Sequence, residues 1–268
     1  MPNQPRKLLR YLFVIFLSLS FSPLHSLLSS LPQEIFHDSQ TNLQRNNSLL
    51  LSSPRLLKPD GRPAGTVGVI LYTYNPDNDV FILLGRERLD QDDEKAAGTY
   101  SEFGGSMEIK EPQNAKSCRV PESFIEGCIR ECREESAGIY DLDKNYILER
   151  GFTYYKETPK RQIAIVILKA PYFEEEKNLL EARNSSKNVH YHDKDNFKWL
   201  KLGDILSNTP DKDGRIIVKD IHNNSTIIRL RSFFSDFLKD SEFQVILSNI
   251  QVLNHHPQNL SKSLKLKS

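Results

Sequence analysis

The sequence predicts a mixed α/β domain on three observations. Segments rich in β-branched and aromatic residues, with the patterning of strands, occur on both sides of one strongly amphipathic helix. Hydrophobic residues make up 38% of the 268 residues. That proportion suffices for one core of about 150–200 residues plus appendages, but not for two full enzyme domains.

Residues 1–30 have the layout of a targeting segment. Three basic residues precede an apolar run over 11–21, and serine-rich sequence follows. This order is typical of a secretory signal peptide, or of a signal anchor if 24–31 extends the apolar run. We therefore expect a protein that is exported or membrane-anchored through residues 1–30. The alternative is a cytoplasmic protein whose chain begins with an apolar helix.

The first strands follow a polar linker. Residues 31–62 are rich in Ser, Asn, Gln and Pro without a sustained period, which predicts a linker. Strands are predicted over 66–74 and 80–85, with a turn cluster between them that makes a hairpin. A shorter strand over 100–103 runs into the glycine pair Gly104 and Gly105.

The strongest helix is predicted over 121–137, where apolar residues recur at helical spacing. Pro121 suits the first helical position, and Gly138 stands where helices commonly stop. Cys128 and Cys132 belong to the apolar stripe. They are predicted to be small buried hydrophobic residues, because no His or further Cys lies at ligand spacing.

The remaining elements alternate between strand and helix. We predict strands over 146–156, 162–169 and 197–200, a polar active-site loop or short helix over 173–195, a helical turn over 202–206, and an amphipathic helix over 225–238. Residues 241–268 are expected to form a C-terminal helix and a flexible tail. The folded domain would then span 63–240.

The charge balance excludes strongly electrostatic partners. The net charge is +1, from 36 basic and 35 acidic residues. No global field therefore indicates DNA or an anionic membrane surface, and membrane association is expected only through the N-terminal segment. The balance is compatible with a small anionic substrate, and it says nothing about the oligomeric state.

The predicted helix carries a cluster of carboxylates. Glu131 and Glu135 are one turn apart on one face, and Glu134 lies beside them. Three like charges so close together repel unless a cation neutralises them, and hard oxygen ligands suit Mg²⁺, with Mn²⁺ as a possible substitute. Glycines at 104 and 105 would let the backbone approach a metal ion or a phosphate. The alternative is a solvated charged face.

The wider spacing resembles the Nudix hydrolase family, whose box reads G-x5-E-x7-R-E-U-x-E-E-x-G-U, where U is a bulky apolar residue. The matching residues are Glu122, Arg130, Glu131, Cys132, Glu134 and Glu135. The stretch 100–105 is similar to the aromatic strand that leads into the family's Gly-Gly, and 197–202 to its late tryptophan strand. The resemblance covers about 64–240 and implies a Nudix-type α/β/α sandwich with a mixed β-sheet between helices.

Two departures from the family pattern stand out. Lys116 occupies the position of the box glycine, because about ten residues are inserted between 106 and 121. The insertion would lie close to the substrate mouth. Two residues, Ser136 and Ala137, stand where the family has one before the glycine, so the helix is expected to run one residue longer.

The resemblance implies a role for each residue. Glu131, Glu134 and Glu135 would ligate Mg²⁺ with the carbonyl of Gly105, and Arg130 would pair with Glu122. Glycines 104 and 138 would be structural. The catalytic residues would be Glu131 and Arg130, with Glu131 or an acid or histidine of the later loop as general base; those candidates are Glu174, Glu175, Glu176, Glu181, His190 and His192. Arg86 and Arg88 are candidate phosphate-binding residues.

The implied activity is hydrolysis of a pyrophosphate linkage in a nucleoside diphosphate derivative. The substrate is thus a nucleotide-like small molecule, within classes that include dinucleotides, nucleotide sugars, deoxynucleoside triphosphates and capped RNA. One alternative is a non-catalytic nucleotide-binding or regulatory module on the same fold. Such modules usually lack a metal glutamate, whereas all three stand in this sequence. A Ca²⁺-binding or purely structural acidic helix is the third hypothesis.

Overall fold

The computed structural model describes residues 48–110, 120–171, 176–187 and 193–253, which lie in one structural unit, Leu43–Ser268. The predicted leader, most of the predicted linker, the middle of the insertion and the end of the tail lie outside these residues. In the part of the chain that is described, no helix is long and apolar enough to cross a membrane.

Eleven strands and six numbered helices are described. The strands are β1 (Gly65–Tyr74), β2 (Val80–Glu87), β3 (Tyr100–Ser101), β4 (Phe103–Ser106), β5 (Ile109–Lys110), β6 (Val120–Pro121), β7 (Phe152–Glu157), β8 (Gln162–Lys169), β9 (Lys194–Lys201), β10 (Arg215–Lys219) and β11 (Ser225–Arg229). The helices are α1 (Phe124–Glu135), α2 (Lys144–Arg150), α3 (Glu176–Ser185), α4 (Leu202–Ser207), α5 (Ser232–Leu238) and α6 (Ser241–Leu253).

The central sheet has seven strands and is mixed. Strand β1 lies in its middle and pairs in parallel with β8. The other edge of β1 is shared, because its second half pairs antiparallel with β2 and its first half with β4. Strands β7 and β9 pair antiparallel with β8 and β2. Two small antiparallel hairpins, β5–β6 and β10–β11, stand outside this sheet.

Both faces of the sheet are covered. Along β8, Ala164, Val166 and Leu168 point into a core that also contains the apolar side of α1, whereas Ile165 and Ile167 point into the opposite core with α5 and α6. This alternation follows from the two-residue period of a strand. The predicted fold class, an α/β sandwich with a mixed sheet between helices, is confirmed.

The prediction of one strand over 146–156 was wrong in its first half. Residues 144–150 form α2, which Asp143 caps by accepting a hydrogen bond from the Tyr146 amide at 2.9 Å. The helix ends at Gly151, and β7 begins at the next residue. The N-cap at Asp143 starts the helix, and the glycine at its C-terminal end separates it from the strand.

The prediction of one helix over 225–238 was also wrong in its first half. Residues 225–229 form β11, which pairs with β10 in full register from Arg215↔Arg229 to Lys219↔Ser225. Only Ser232–Leu238 is helical. The hairpin forms because Ile216, Val218 and Ile228 bury one face of the two-stranded ribbon on the core of the second sheet face.

Several element boundaries in the structure differ from the predicted ones. Pro121 lies in β6, and α1 begins at Phe124 after the N-cap Ser123. The end of the predicted linker packs on the domain, since Leu50 is fully buried and the Ser52 carbonyl accepts a hydrogen bond from the Phe124 amide at 2.9 Å. The predicted C-terminal helix is present as α6, and its Phe243 is fully buried.

Candidate active site

The orientation of α1 is set by its start and by its apolar side. At the N-terminus, the backbone amide and the hydroxyl of Ser123 both donate to the carboxylate of Glu126, at 2.8 and 2.7 Å. This is the back-bonding half of a capping box. Further along, Ile125, Cys128 and Cys132 are fully buried against the sheet. Burial of that stripe turns the glutamates at the end of α1 toward the strand β4.

An acidic pocket of about 540 Å³ opens beside the end of α1. Its lining consists of eight acidic residues, two arginines, two glycines and one glutamine. The acidic residues are Glu87, Asp90, Asp92, Glu108, Glu131, Glu134, Glu135 and Asp193, and the others are Arg88, Arg130, Gly104, Gly105 and Gln91. The three predicted metal glutamates and the predicted glycine pair thus line one pocket. The excess of carboxylates favours a cation as its first occupant.

The glycine pair fits closely under the carboxylates. A Cβ atom added to Gly105 would lie 2.7 Å from Oε2 of Glu131. A Cβ atom added to Gly104 would lie 2.9 Å from the Cα of Gly68, so the space there is closed by backbone. The Gly104 amide donates a hydrogen bond of 2.7 Å to Oε2 of Glu135. A side chain at Gly104 would therefore meet the backbone of β1, and one at Gly105 would meet the Glu131 carboxylate.

Arg130 joins several carboxylates at once. Its guanidinium lies 2.7 Å from Glu122 Oε1, 2.8 Å from Glu131 Oε1 and 3.1 Å from Glu134 Oε2. It also donates to the carbonyl of Ser106 at the end of β4, at 3.0 Å. The fixed fork of donors in a guanidinium makes such bridging possible. The predicted contact of Arg130 with Glu122 is therefore present, and it forms part of a wider network.

Within the described residues, no three Asp, Glu, His or Cys side chains are placed so that they hold a metal ion as they stand. The reason is visible in the contacts. Arg130 takes one oxygen of Glu131 and one of Glu134, and the Gly104 amide takes one of Glu135. The carboxylates are gathered in one pocket but are paired with groups of the protein.

Burial perturbs the pKa values of the carboxylates. It raises the pKa of Glu131 to about 7, although the nearby Arg130 opposes the rise. It raises the pKa of Glu135 well above its ordinary value, against the influence of a neighbouring lysine, Lys194. Burial lowers the pKa of Arg130, but its carboxylate partners outweigh that effect, led by Glu122, and raise it overall. Arg130 therefore stays charged, and a bound cation would favour the ionised carboxylates.

No protein-family model and no curated protein matches this chain. Solved structures that resemble it include a Nudix hydrolase from M. smegmatis, RenU, with 10% identity, coverage of 74% of this chain and 98% of that chain, and a TM-score of 0.37. The MutT protein from Methanosarcina mazei Go1 has 16% identity, coverage of 69% and 94%, and a TM-score of 0.35. The NUDIX domain of Shewanella oneidensis NrtR, solved with ADP ribose, has 13% identity, coverage of 70% and 94%, and a TM-score of 0.33. Similarities this weak carry no conclusion about activity, and the assignments below rest on the side chains of the acidic pocket.

The two predicted phosphate-binding arginines differ in their placement. Arg88 lines the acidic pocket and pairs with the exposed Asp90 at 2.6 Å. Arg86 pairs with Asp195 at 2.6 Å and is not among the lining residues. Both guanidinium groups already have a carboxylate partner. A phosphate would have to displace Asp90 to contact Arg88, and the structure does not bring Arg86 to the pocket.

The structure places a buried lysine next to the pocket that the sequence did not predict. Lys194, the first residue of β9, is fully buried, and its Nζ lies 2.7 Å from Glu87 Oε1 and 3.5 Å from Glu135 Oε1. It also donates to the hydroxyl of Ser101 at 2.8 Å. Neither Lys194 nor Glu87 belongs to a recognised motif. No local sequence signal marks this pair, because their contact depends on the register of β9 against β2.

The remaining predicted residues take structural positions or lie outside the description. Cys128 and Cys132 are buried, as predicted, and so is Trp199 of β9. Tyr154 packs edge-on against Phe243, with ring centroids 5.1 Å apart. The acids at 174 and 175 and the histidines at 190 and 192 lie outside the described residues. Glu176 and Glu181 lie on α3, and Glu181 is exposed.

Proposed function

We propose that this chain is a Nudix-type pyrophosphohydrolase that depends on a divalent metal ion and cleaves the phosphoanhydride bond of a nucleoside diphosphate derivative. One observation carries the proposal. Glu131, Glu134 and Glu135 of α1 line a single pocket with Gly104 and Gly105, in the order in which the sequence motif places them. A purely structural acidic helix would have no need of a glycine cradle under its carboxylates.

The residues present fit a divalent ion in their chemistry. Carboxylate oxygens are the donors that Mg²⁺ and Mn²⁺ prefer, and because Gly105 has no Cβ, the Glu131 carboxylate lies directly against the backbone there. Glu131, Glu134 and Glu135 would hold the ion, with the carbonyl of Gly105 as a further ligand. When bound, the ion would polarise the phosphoryl oxygens and lower the pKa of an attacking water.

The protein's own groups would prepare this site. Arg130 ties α1 to the end of β4 through the Ser106 carbonyl, and it holds Glu131 and Glu134 within reach of each other. The Gly104 amide fixes the direction of Glu135. Glu131, which faces Gly105 at the floor of the pocket, is placed to accept a proton from a water that enters there.

The negative charge of a diphosphate substrate requires a cation in this acidic pocket. The pocket holds eight acidic side chains, and its arginines Arg88 and Arg130 are already paired. A diphosphate would therefore be repelled unless a cation stood between it and the carboxylates. We infer that the substrate enters as a complex with the divalent ion, and that Arg88 at the rim exchanges Asp90 for a phosphate oxygen.

A hydrolysis screen tests the proposal. The purified chain would be offered ADP-ribose, diadenosine tetraphosphate, nucleotide sugars and deoxynucleoside triphosphates with Mg²⁺, with Mn²⁺ and with a chelator. We expect the chain to hydrolyse at least one of these classes, and we expect the chelator to abolish that hydrolysis. Glu134→Gln and Glu135→Gln should each reduce it more than roughly 100-fold, because even groups that only orient a metal ligand typically contribute 10–100-fold. Glu149→Gln, an exposed glutamate of the neighbouring helix α2, is the matched control.

The regulatory alternative makes a different prediction. A nucleotide-binding module would bind one of these compounds in calorimetry without releasing product. Equal behaviour of the wild type and the Glu134→Gln/Glu135→Gln double variant on every compound would exclude the enzymatic role.

We further propose that residues 1–30 direct the chain out of the cytoplasm or anchor it to a membrane. The basic residues followed by the apolar run over 11–21 support this proposal. Fractionation of a C-terminally tagged full-length chain tests it, and a soluble cytoplasmic product of full length would contradict it.

A further inference from the structure

A fully buried ammonium group lies directly behind the acidic pocket. The stem of Lys194 crosses Gly85 of β2 so closely that an added Cβ there would lie 2.8 Å from the lysine Cγ. The Nζ donates to Glu87 Oε1 and Ser101 Oγ, and lies 3.5 Å from Glu135 Oε1. Burying a charged lysine is costly unless carboxylates compensate it. This lysine therefore belongs to the electrostatic arrangement of the pocket.

The carboxylates around Lys194 and around Arg130 form two groups with different balances of charge. The inner group consists of Glu87, Glu135, Lys194 and Arg231. Arg231 lies 2.7 Å from the same oxygen of Glu87 that Lys194 contacts. Two cations thus face two carboxylates, and the group has no net negative charge whether or not Glu135 is ionised. Burial raises the pKa of the adjacent Glu102, which favours its uncharged form.

The outer group consists of Glu108, Glu122, Glu131, Glu134 and Arg130. Three of these carboxylates lie within 3.1 Å of the guanidinium, and the more exposed Glu108 lies 3.7 Å from it. When all four are ionised, three negative charges remain, and one divalent ion neutralises two of them. Of the two groups, only the outer one therefore needs a further cation, and its Glu131 lies against Gly105.

We propose that Lys194 is a positioning residue that serves as a built-in cation of the site: it holds Glu135 in place beside the Gly104 amide, and it limits the pocket to one divalent ion, which Glu131 and Glu134 of the outer group bind together with Glu135. The proposal rests on the proposed function, because it presumes that the outer carboxylates bind a metal ion. It differs from a purely structural role for Lys194, which would leave the number of bound ions unchanged when the charge is removed.

Counting bound Mn²⁺ tests the proposal. The full chain would be titrated with Mn²⁺, and the free ion would be measured by electron paramagnetic resonance, in which the signal of bound Mn²⁺ is broadened. We expect one ion per chain in the wild type. Lys194→Met leaves Glu87 and Glu135 with one cation fewer, so we expect two ions per chain and a larger rise of Tm on adding Mn²⁺ than in the wild type. Lys201→Met, on the same strand but paired with Asp79 at the surface, should bind one ion.

The outcomes separate cleanly. Two ions in the wild type, or one ion of unchanged affinity in folded Lys194→Met, would overturn the role of Lys194 and leave metal-dependent hydrolysis standing. No bound ion in the wild type would instead count against the proposed function itself. If Lys194→Met does not fold, Lys194→Gln, which keeps donors for Glu87 and Ser101 without the charge, carries the same expectation. If neither variant folds even with Mn²⁺, Lys194 is a residue of the fold, and its proposed control of the ion count is overturned.

Discussion

The backbone amide of Gly104 lies 2.7 Å from Oε2 of Glu135 and donates a hydrogen bond to it. This bond joins the edge strand β4 to the last turn of α1, so the glycine pair and the acidic helix hold each other in register. Because a Cβ at Gly104 would meet backbone and a Cβ at Gly105 would meet a carboxylate, the two glycines have separable roles.

Gly105→Ala should impair the site and spare the fold. The added Cβ would meet the end of the flexible Glu131 side chain, which can rotate away. We expect Mn²⁺ affinity and hydrolysis to fall about 10–100-fold, with the free energy of unfolding within about 0.5 kcal/mol of the wild type. The control is Gly203→Ala, where the nearest atom would be 3.9 Å away. A variant that binds Mn²⁺ normally would contradict the placement of Glu131.

Gly104→Ala should instead destabilise the domain. Its Cβ would collide with the Val67 carbonyl and lie 2.9 Å from the Gly68 Cα, both parts of the central strand β1. Overpacking against backbone typically costs about 1–3 kcal/mol. Urea unfolding of the metal-free protein measures this loss, and an unchanged midpoint would show that β4 can move away from β1.

Arg130→Lys should lose most of the network while keeping one charge. An ammonium cannot bridge Glu122, Glu131 and Glu134 and also reach the Ser106 carbonyl as the guanidinium does. We expect hydrolysis to fall roughly 10–100-fold through misplaced ligands. Titration with Mg²⁺ at saturating substrate separates weaker metal binding from slower turnover. Full activity at every Mg²⁺ concentration would show that the bridging is dispensable.

Glu126→Gln should destabilise α1 in a way that depends on pH. Burial raises the pKa of Glu126, but hydrogen bonds from Lys110 and Ser123 outweigh it, and the pKa falls to about 2 from 4.5. Its contribution is therefore complete above pH 4.5 and is lost as the pH falls through about 2. We expect a deficit of about 1 kcal/mol at pH 7, the usual value of a cap, because its partly exposed ion pair with Lys110 adds little.

The measurement is the difference in free energy of unfolding between the wild type and Glu126→Gln at pH 7 and pH 3. That difference should shrink at the lower pH. Glu149→Gln, an exposed substitution on α2, should show no such trend. A difference that stays constant with pH would mean that the amide replaces the carboxylate in the cap.

Phe243→Ala should destabilise the core that α5 and α6 form with one face of the central sheet. The Phe243 ring is fully buried between Tyr154 and Phe237, with centroid distances of 5.1 and 6.0 Å. Loss of such a ring costs about 3–5 kcal/mol. Val245→Ala, an exposed position of α6, should change the free energy of unfolding by less than about 0.5 kcal/mol. A chain that ends at residue 240 should be destabilised at least as much as Phe243→Ala, and equal stability would contradict the role of α6.

The sequence predicted the parts whose signals are local. Each of these signals lies within one short segment. They are the strand patterns near β1, β2 and β8, the apolar stripe of α1, and the spacing of Glu131, Glu134 and Glu135. The helix over 225–238 was mispredicted because Ile227 and Ile228 fit a helical stripe as well as a strand. The partner that decides between them is β10. Its β-branched residues Ile216, Ile217 and Val218 are typical of a strand, so the two segments together, rather than 225–238 alone, indicate the hairpin.

The position of Lys194 could not have been predicted from its neighbours. In β9, Phe197 and Trp199 point into the α1 core, so simple alternation places residue 195 on that side too. The register of β9 against β2 shifts between Arg86 and Glu87, which sets Lys194 opposite Glu87. An irregularity of this kind depends on two strands distant in the sequence. The same register brings Arg86 to Asp195, a pairing that neither segment predicts by itself.

The parallel pairing of β1 with β8 has a consequence for how the chain folds. Its register, from Gly65↔Gln162 onward, closes a loop of roughly 100 residues, whereas β1, β2, β4 and α1 meet through much shorter loops. Long loops of this kind slow folding. During synthesis, the acidic helix can therefore reach its glycine strand before β8 is made, but the second core can close only after β8 has emerged from the ribosome.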